Sequence, residues 1–299
     1  MEQSELSPDN PPEPNPEVAL RPPSRLNRRT LSKLALGFLC VTSAGVAYPF
    51  VEACALRVTR RTIPVPRLPS GFEGFRIALL ADIHHGPLTG LDFIHKAVEK
   101  TLSLSPDLIA LGGDYVHAGG RYTYPCFEVL SQLRAPFGVY AVLGNHDHWD
   151  APKETHAAIR ESGFVDLTNT GVWLETAGDR LRFAGVGDLW EDRQDLKSAL
   201  GDMESGDTSV LLSHNPDYLE VMDDARVGLV LSGHTHGGQM YFPPFGAPLI
   251  PSAYGQKYRY GLVKTPHCQV FVTCGIGTIY PPVRFCCPPE IALLTLVSS

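Results

Sequence analysis

The sequence predicts an α/β domain from about Gly71 to the end of the chain, on three observations. Short, nearly uncharged apolar runs recur, helical patterns separate the early ones, and each of five runs closes on a polar cluster. FRIALLADIH, from Phe75 to His84, is the first strand-length run. LDFIHKAVEKTLSL follows, with Leu91, Ile94, Val98 and Leu102 near helical spacing. PDLIALGGD is the second run, ending at Asp114, and YPCFEVLSQLR after it is again helical in pattern. FGVYAVLGNHD is the third, ending at Asp147, and APKETHAAIRESG reads as a helix closed by Gly163. GVWLETAGDRLRFAGVGD reads as a hairpin, because two apolar stretches flank Ala-Gly-Asp. TSVLLSHNPD and VGLVLSGHTH are the fourth and fifth runs, and QVFVTCG and EIALLTLVS are late strands that need no intervening helix. The β-α-β-α order with uncharged strands places them inside, covered on both faces.

At 299 residues and 43% hydrophobic, the chain can bury a sizeable core, which excludes disorder throughout. A formal net charge of -7 argues against nucleic acid as the main partner, since phosphate-backbone binding relies on dense Lys and Arg. The seven cysteines form neither a CxxC pair nor a disulfide framework, and most read as small buried hydrophobes. Cys268, Cys274, Cys286 and Cys287 could pair in an exported domain. Nothing in the pattern sets an oligomeric state.

The N-terminus differs. Residues 1–26 are proline-rich and polar, without periodicity, and read as disordered. Residues 27–55 read as a targeting segment: Arg28, Arg29 and Lys33 precede an uncharged stretch from Leu34 to Val51. RRTLSKL resembles a twin-arginine export signal, with Leu31 where that motif commonly has phenylalanine. Between Val18 and Val51 there are five basic residues and no acidic one, so the N-terminus is expected on the cytoplasmic side and the rest across the bacterial cytoplasmic membrane. Ala53-Cys54-Ala55 has the form of a cleavage site; uncleaved, the segment would tether the domain to the membrane. The alternative is a buried N-terminal helix of a cytoplasmic protein.

In open α/β sheets, functional groups gather at the carboxyl ends of strands. Here those ends carry Asp82 and His84; Asp114; Asn145, His146 and Asp147; Ser213 and His214; and His234 and His236. His234 and His236, at i and i+2 in an extended segment, would share a face. Such groups are costly to bury without partners, and a shared set of cations would satisfy them all. Two carboxylates, an amide oxygen and several imidazoles without thiolate suit Mn, with Fe or Zn as the alternatives, better than Ca or Mg. The ligands outnumber those of one tetrahedral site, so two metals sharing a carboxylate is the economical arrangement, and such pairs do phosphoryl chemistry.

The motifs DxH (Asp82, His84), GGD (Asp114), GNHD (Asn145 to Asp147), SH (His214) and GHTH (His234, His236) occur in the order typical of calcineurin-like metallophosphoesterases, which the chain resembles from about Phe75 to Ser299. GHTHGGQ, PSAYGQKYRYG, GIGTIYPPVRF and PPEIALLTL further resemble a bacterial branch with a twin-arginine signal or a single N-terminal span. That branch includes phosphodiesterases related to UDP-2,3-diacylglucosamine pyrophosphatase. The resemblance implies a two-sheet β-sandwich core flanked by helices, a four-layer αββα fold. It implies that Asp82, His84 and His236 hold one metal, that Asn145, His214 and His234 hold the other, and that Asp114 bridges them. A metal-bridging hydroxide would then attack phosphorus, with His146 stabilising the transition state or protonating the leaving oxygen. Asp147 would serve local hydrogen bonding.

One departure stands out. Protein phosphatases of the wider superfamily read GDxxDRG where this chain reads GDYVHAGG, so His117 replaces the Asp that orients the catalytic histidine, and Ala118 replaces the phosphate-gripping Arg. A protein phosphatase is therefore disfavoured. His117 could accept a hydrogen bond, contact substrate or sit on the rim. His85 and His148 flank ligands and could reach phosphate; His95, His156 and His267 read as surface or packing residues. Gly237 and Gly238 would let the backbone pass close to the metals, and Gln239 would line the site or brace a loop. The long Tyr- and Pro-rich stretch from Tyr241 to Tyr260 either lines a groove through Tyr254, Lys257, Tyr258 and Arg259 or packs on itself.

The resulting expectation is an exported or membrane-tethered hydrolase of phosphodiester or pyrophosphate bonds, possible substrates being lipid-linked or envelope sugar phosphates. A phosphomonoesterase and a catalytically silent, metal-stabilised scaffold are the alternatives.

Overall fold

The computed structural model describes residues 45–299. The compact unit Ala47–Ser299 is described below. The expected disordered segment and most of the expected targeting segment lie outside the described residues. Among the described residues no helix is long and apolar enough to cross a membrane.

Two six-stranded sheets form the core. In the first, the spatial order is β1 (Arg57–Val65), β12 (Glu290–Ser298), β2 (Arg76–Leu80), β3 (Leu108–Leu111), β4 (Val139–Ala141) and β5 (Val165–Asp166). In the second it is β10 (Gly261–Lys264), β11 (Gln269–Val272), β9 (Val227–Ser232), β8 (Ser209–Leu212), β7 (Asp179–Gly185) and β6 (Thr170–Thr176). The series β2-β3-β4-β5 is parallel, as are β7-β8-β9-β11, whereas β12 runs antiparallel to β2. This is the two-sheet sandwich flanked by helices that the resemblance implied.

Strand periodicity sorts side chains into layers. Ile77, Leu79, Leu108 and Ala110 point between the sheets, where they meet Phe183, Val210, Leu212, Leu229, Leu231 and Phe271. Ala78, Leu80, Ile109 and Leu111 point outward beneath α1 (Leu91–Ser103), α2 (Thr123–Leu130) and α4 (Pro152–Glu161). In α1 the predicted spacing holds: Ile94 and Val98 are buried, with Leu91 and Leu102 packed at the margin. Leu211 and Val230 face the other way, against α5 (Leu196–Leu200) and the 3-10 turn Pro216–Glu220.

Several elements differ from expectation. The apolar runs are longer than their strands, because each ends in a loop that leaves the sheet. GNHD is not a strand end but the start of a short helix, α3 (Asn145–Asp150), in which Asp147 accepts from the Gly144 N–H at 2.9 Å. β1, with four arginine or proline positions, carried no apolar run, yet it pairs along its whole length with β12.

The compact unit also begins before the expected boundary at Leu56. Helical residues ahead of β1 pack on the domain through Glu52, which is buried and accepts from the N–H groups of Cys286 (2.9 Å) and Cys287 (3.0 Å). The Pro49 carbonyl accepts from the Arg284 N–H at 2.9 Å.

Candidate metal centre

The strand ends of both sheets converge at one edge of the sandwich. β2 delivers Asp82 and His84, β3 Asp114, α3 after β4 Asn145 and His146, β8 His214, and β9 His234 and His236. Of the eight site residues singled out in the sequence, all but His146 are buried.

The backbone reaches these positions by leaving the extended conformation. Asp82, His84, Asp114, His234 and His236 all have positive φ, between 48° and 69°. This region is sparsely used by side-chain-bearing residues, and its clustering here marks strain held at a functional site. His234 and His236 therefore do not share a strand face. β9 ends at Ser232, and the two rings are carried on a left-handed turn toward different partners. Two glycines make the close approach possible: a Cβ on Gly144 would lie 2.3 Å from Asp114 Oδ1, and one on Gly233 would lie 2.3 Å from Asp82 Oδ2.

Two clusters result. In the first, His84 Nε2 lies 2.9 Å from His236 Nε2, and His236 Nε2 lies 3.5 Å from Asp82 Oδ1. In the second, His214 Nε2 lies 3.2 Å from His234 Nδ1. Asp114 belongs to both, its Oδ2 being 3.5 Å from His84 Nε2 and 3.2 Å from His214 Nε2. Asn145 Oδ1 is buried with no hydrogen-bond partner.

These donors fit divalent cations. Ligands bound at about 2.0–2.2 Å lie roughly 3 to 3.5 Å from one another around the ion, which is the spacing observed. A buried amide oxygen left unpaired is costly unless something positive meets it. Burial holds His84 and His234 down to about 3, and His236 well below its ordinary value, so these rings are neutral at pH 7, the ligating form. Burial acts to lower His214, but the carboxylates of Asp114, Asp82 and Asp188 together raise it to about 10. Burial pushes Asp82 up to about 7, so its anion gains strongly from a positive neighbour.

The supporting shell is dense. Asp147 accepts from the backbone N–H groups of Asp114 (2.8 Å) and Tyr115 (2.9 Å) as well as Gly144, tying the ends of β3 and β4 together. His214 fixes its ring through Nδ1 to the Gly112 carbonyl at 2.7 Å, leaving Nε2 for the site. Arg284 is fully buried behind Asp82 and His236, donating to the carbonyls of Cys274, Cys287 and Gly277. Cys274 and Cys287 are reduced and buried, with sulfurs 3.4 Å apart.

Among the other residues considered, His117 Nδ1 lies 3.2 Å from His146 Nδ1. His85 is occupied by the Thr89 carbonyl at 2.9 Å, and His148 Nε2 is buried without a partner. His95 and His267 are exposed, and His156 pairs with Asp166 away from the site. Gln239 is a loop brace, exchanging hydrogen bonds with the backbone of Ile279 and with the Pro281 carbonyl. The stretch from Tyr241 to Tyr260 packs partly on itself, Arg259 stacking on Tyr241 at 3.9 Å, and partly on the 3-10 turn Pro216–Glu220, where Lys257 and buried Tyr258 bond Glu220, and Ser252 and the Ala253 N–H bond Asp217.

Sequence reasoning missed the two rim tryptophans. Trp149 and Trp190 are 54% and 48% exposed, yet their rings meet His146 and His234 edge-on at 4.7 and 4.4 Å. Trp149 also donates to Glu191 at 2.8 Å, joining α3 to the loop that carries Trp190. The available signal was Trp149 lying three residues after His146 in the same short helix.

The chain is similar in sequence to known proteins. A family model of calcineurin-like phosphoesterases matches residues 75–238. The chain is 31% identical over 284 residues to the metallophosphoesterase YkuE of Bacillus subtilis, covering 92% of this chain and 99% of that one. It is 34% identical over 227 residues to the phosphodiesterase YaeI of Escherichia coli, covering 75% and 82%. It is 28% identical over 297 residues to the UDP-2,3-diacylglucosamine pyrophosphatase LpxG of Chlamydia trachomatis, covering 82% and 90%.

Proposed function

Since the chain belongs to the calcineurin-like phosphoesterase family and is a phosphoric ester hydrolase, we propose that it cleaves phosphodiester or pyrophosphate bonds at a dinuclear centre. Asp82, His84 and His236 would hold one cation, Asn145, His214 and His234 the other, and Asp114 both. The single observation that carries this reading is Asp114, whose Oδ2 stands within 3.5 Å of one histidine from each cluster. Two divalent cations there, Mn in the first instance, would supply a water-derived nucleophile at neutral pH and neutralise charge on the phosphoryl oxygens.

The protein's own groups do the rest. Asp114 fixes the spacing of the two clusters and, through Oδ1, accepts from the His146 N–H at 2.8 Å. That bond sets the entry of α3 and aims the half-buried His146 ring at the opening of the site. His146 donates a proton to the leaving oxygen as the P–O bond breaks. Buried walls around the clusters strengthen each electrostatic contact by excluding water.

A diester or pyrophosphate is favoured by the kinds of substrate that the names of YaeI and LpxG state. A lipid-linked or envelope sugar phosphate is supported by LpxG's name and by a cleft of about 490 Å³ lined by Phe50, Leu88, Phe93, Ile276 and Pro282. The basic, uncharged-core N-terminus supports export or tethering with this domain on the non-cytoplasmic side.

The test is metal content together with Mn-dependent hydrolysis of bis-p-nitrophenyl phosphate and p-nitrophenyl phosphate by the full chain, Asp114→Asn and His146→Ala. Two metals in the full chain, with diester turnover lost in both variants, are expected. Faster monoester turnover would point to a phosphomonoesterase, metal without turnover to a scaffold, and no metal would remove the reading.

A further inference from the structure

The site of this chain lacks a carboxylate where the wider superfamily uses one to orient its catalytic histidine, and His117 stands there instead. The His117 backbone is held firmly. Its N–H donates to the His85 carbonyl at 2.9 Å, and its own carbonyl would lie 2.4 Å from a Cβ on Gly86, so the two segments are in close contact. Just beyond, Ala118 and Gly119 at φ 67° and 126° turn the chain away. Its side chain is thus presented to the ring of His146, with Nδ1 facing Nδ1 at 3.2 Å, while the ring of His84 meets it edge-on at 5.8 Å without a hydrogen bond.

The ring of His146 is enclosed on its other sides. His84 meets it edge-on at 4.7 Å from within the site, and Trp149 meets it at 4.7 Å from the rim. A contact between two ring nitrogens needs one N–H and one lone pair. If His146 supplies the N–H at Nδ1, its Nε2 is the remaining polar atom and is available for the substrate.

We propose that His117 is a positioning residue for the reaction: its Nδ1 lone pair accepts the Nδ1–H of His146 and holds that ring with Nε2 toward the leaving oxygen. The proposal rests on the reading of His146 as proton donor. Water oxygen adds to phosphorus and releases a proton to solvent, the P–O bond to the leaving group breaks with its electron pair going to oxygen, and that oxygen takes the Nε2 proton of His146. His146 is left neutral with its Nδ1–H still donated to His117, and solvent returns the lost proton. Histidine suits the position sterically, because its Nδ1 and the Oδ1 of Asp or Asn are each two bonds from Cβ.

Leaving-group dependence tests this, since departing groups of low basicity need little protonation. The full chain, His117→Ala, His117→Asn and His146→Ala would be compared on aryl methyl phosphates whose leaving groups run from p-nitrophenol to phenol. For His117→Ala, kcat is expected to fall about tenfold or more with phenol as leaving group and only about twofold with p-nitrophenol. KM and bound metal should stay unchanged, and His117→Asn, which keeps an acceptor at the same reach, should recover most of the loss. An equal loss for all leaving groups, or a loss that tracks bound metal, would overturn the proposal. The latter would make His84, His117 and His146, whose ligand atoms all lie within 4.8 Å of one another, a metal site instead. Full activity of His117→Ala beside a crippled His146→Ala would overturn the role of His117 alone. Full activity of His146→Ala would overturn the reading of His146 and this proposal with it.

Discussion

The floor of the site and its rim are built by opposite means. On the floor, side chains from both sheets converge on positions fixed by strand ends, positive-φ turns and glycines that admit no Cβ, and every ligand candidate is buried. On the rim, Trp149 in the short helix α3 and Trp190 on the loop after β7 stay about half exposed. The floor tolerates little change because its geometry is the chemistry. The rim can vary without disturbing the fold, which is where selectivity among phosphate esters would be set.

The comparison breaks most sharply at Asp114. Asp114→Ala should lower turnover by roughly 10³-fold or more, a loss of about 4 kcal/mol in transition-state stabilisation, and should lose metal from both clusters. A loss confined to one cluster, read by metal analysis, would show that the clusters are independent. Next comes Arg284→Met, which leaves buried carbonyls without their donor. Denaturant unfolding should show a loss of about 2–4 kcal/mol, far from any rim effect.

Gly144→Ala sharpens the comparison without touching a ligand. The added methyl group would press on Asp114 Oδ1, and metal affinity should fall about 10- to 100-fold by titration calorimetry while helix content in circular dichroism is kept. Glu52→Ala leaves two buried-side N–H groups unpaired and should cost about 1–3 kcal/mol in thermal unfolding, an effect expected if residues before β1 are part of the working domain. The smallest effect belongs to the rim: Trp190→Ala should change stability by no more than about 0.5 kcal/mol while raising KM. A large loss of stability there would erase the distinction.

The floor was legible in the sequence because its chemistry is written in residue types that rarely recur by chance at successive strand ends. DxH, GGD, GNHD, SH and GHTH each mark a place where an apolar run stops. What was not legible was how the backbone turns there. The extended geometry assumed for His234 and His236 fails because a left-handed turn follows Ser232, and only glycines at Gly233, Gly237 and Gly238 hinted at it. β1 escaped notice because its arginines face outward from an edge strand, so no apolar run formed. Glu52 follows directly on an uncharged stretch, and its carboxylate caps a loop more than two hundred residues away, a contact that local pattern does not encode. The rim tryptophans had no motif because exposure, not periodicity, is their distinguishing feature.

The central claim is that one carboxylate, Asp114, joins two metal positions. It is tested most directly by a crystal of the full chain grown with Mn, measured for anomalous scattering at the Mn edge. Two peaks about 3.5–4 Å apart, one on either side of Asp114 Oδ2, are expected. A single peak, or a second one displaced to His117 and His146, would contradict it.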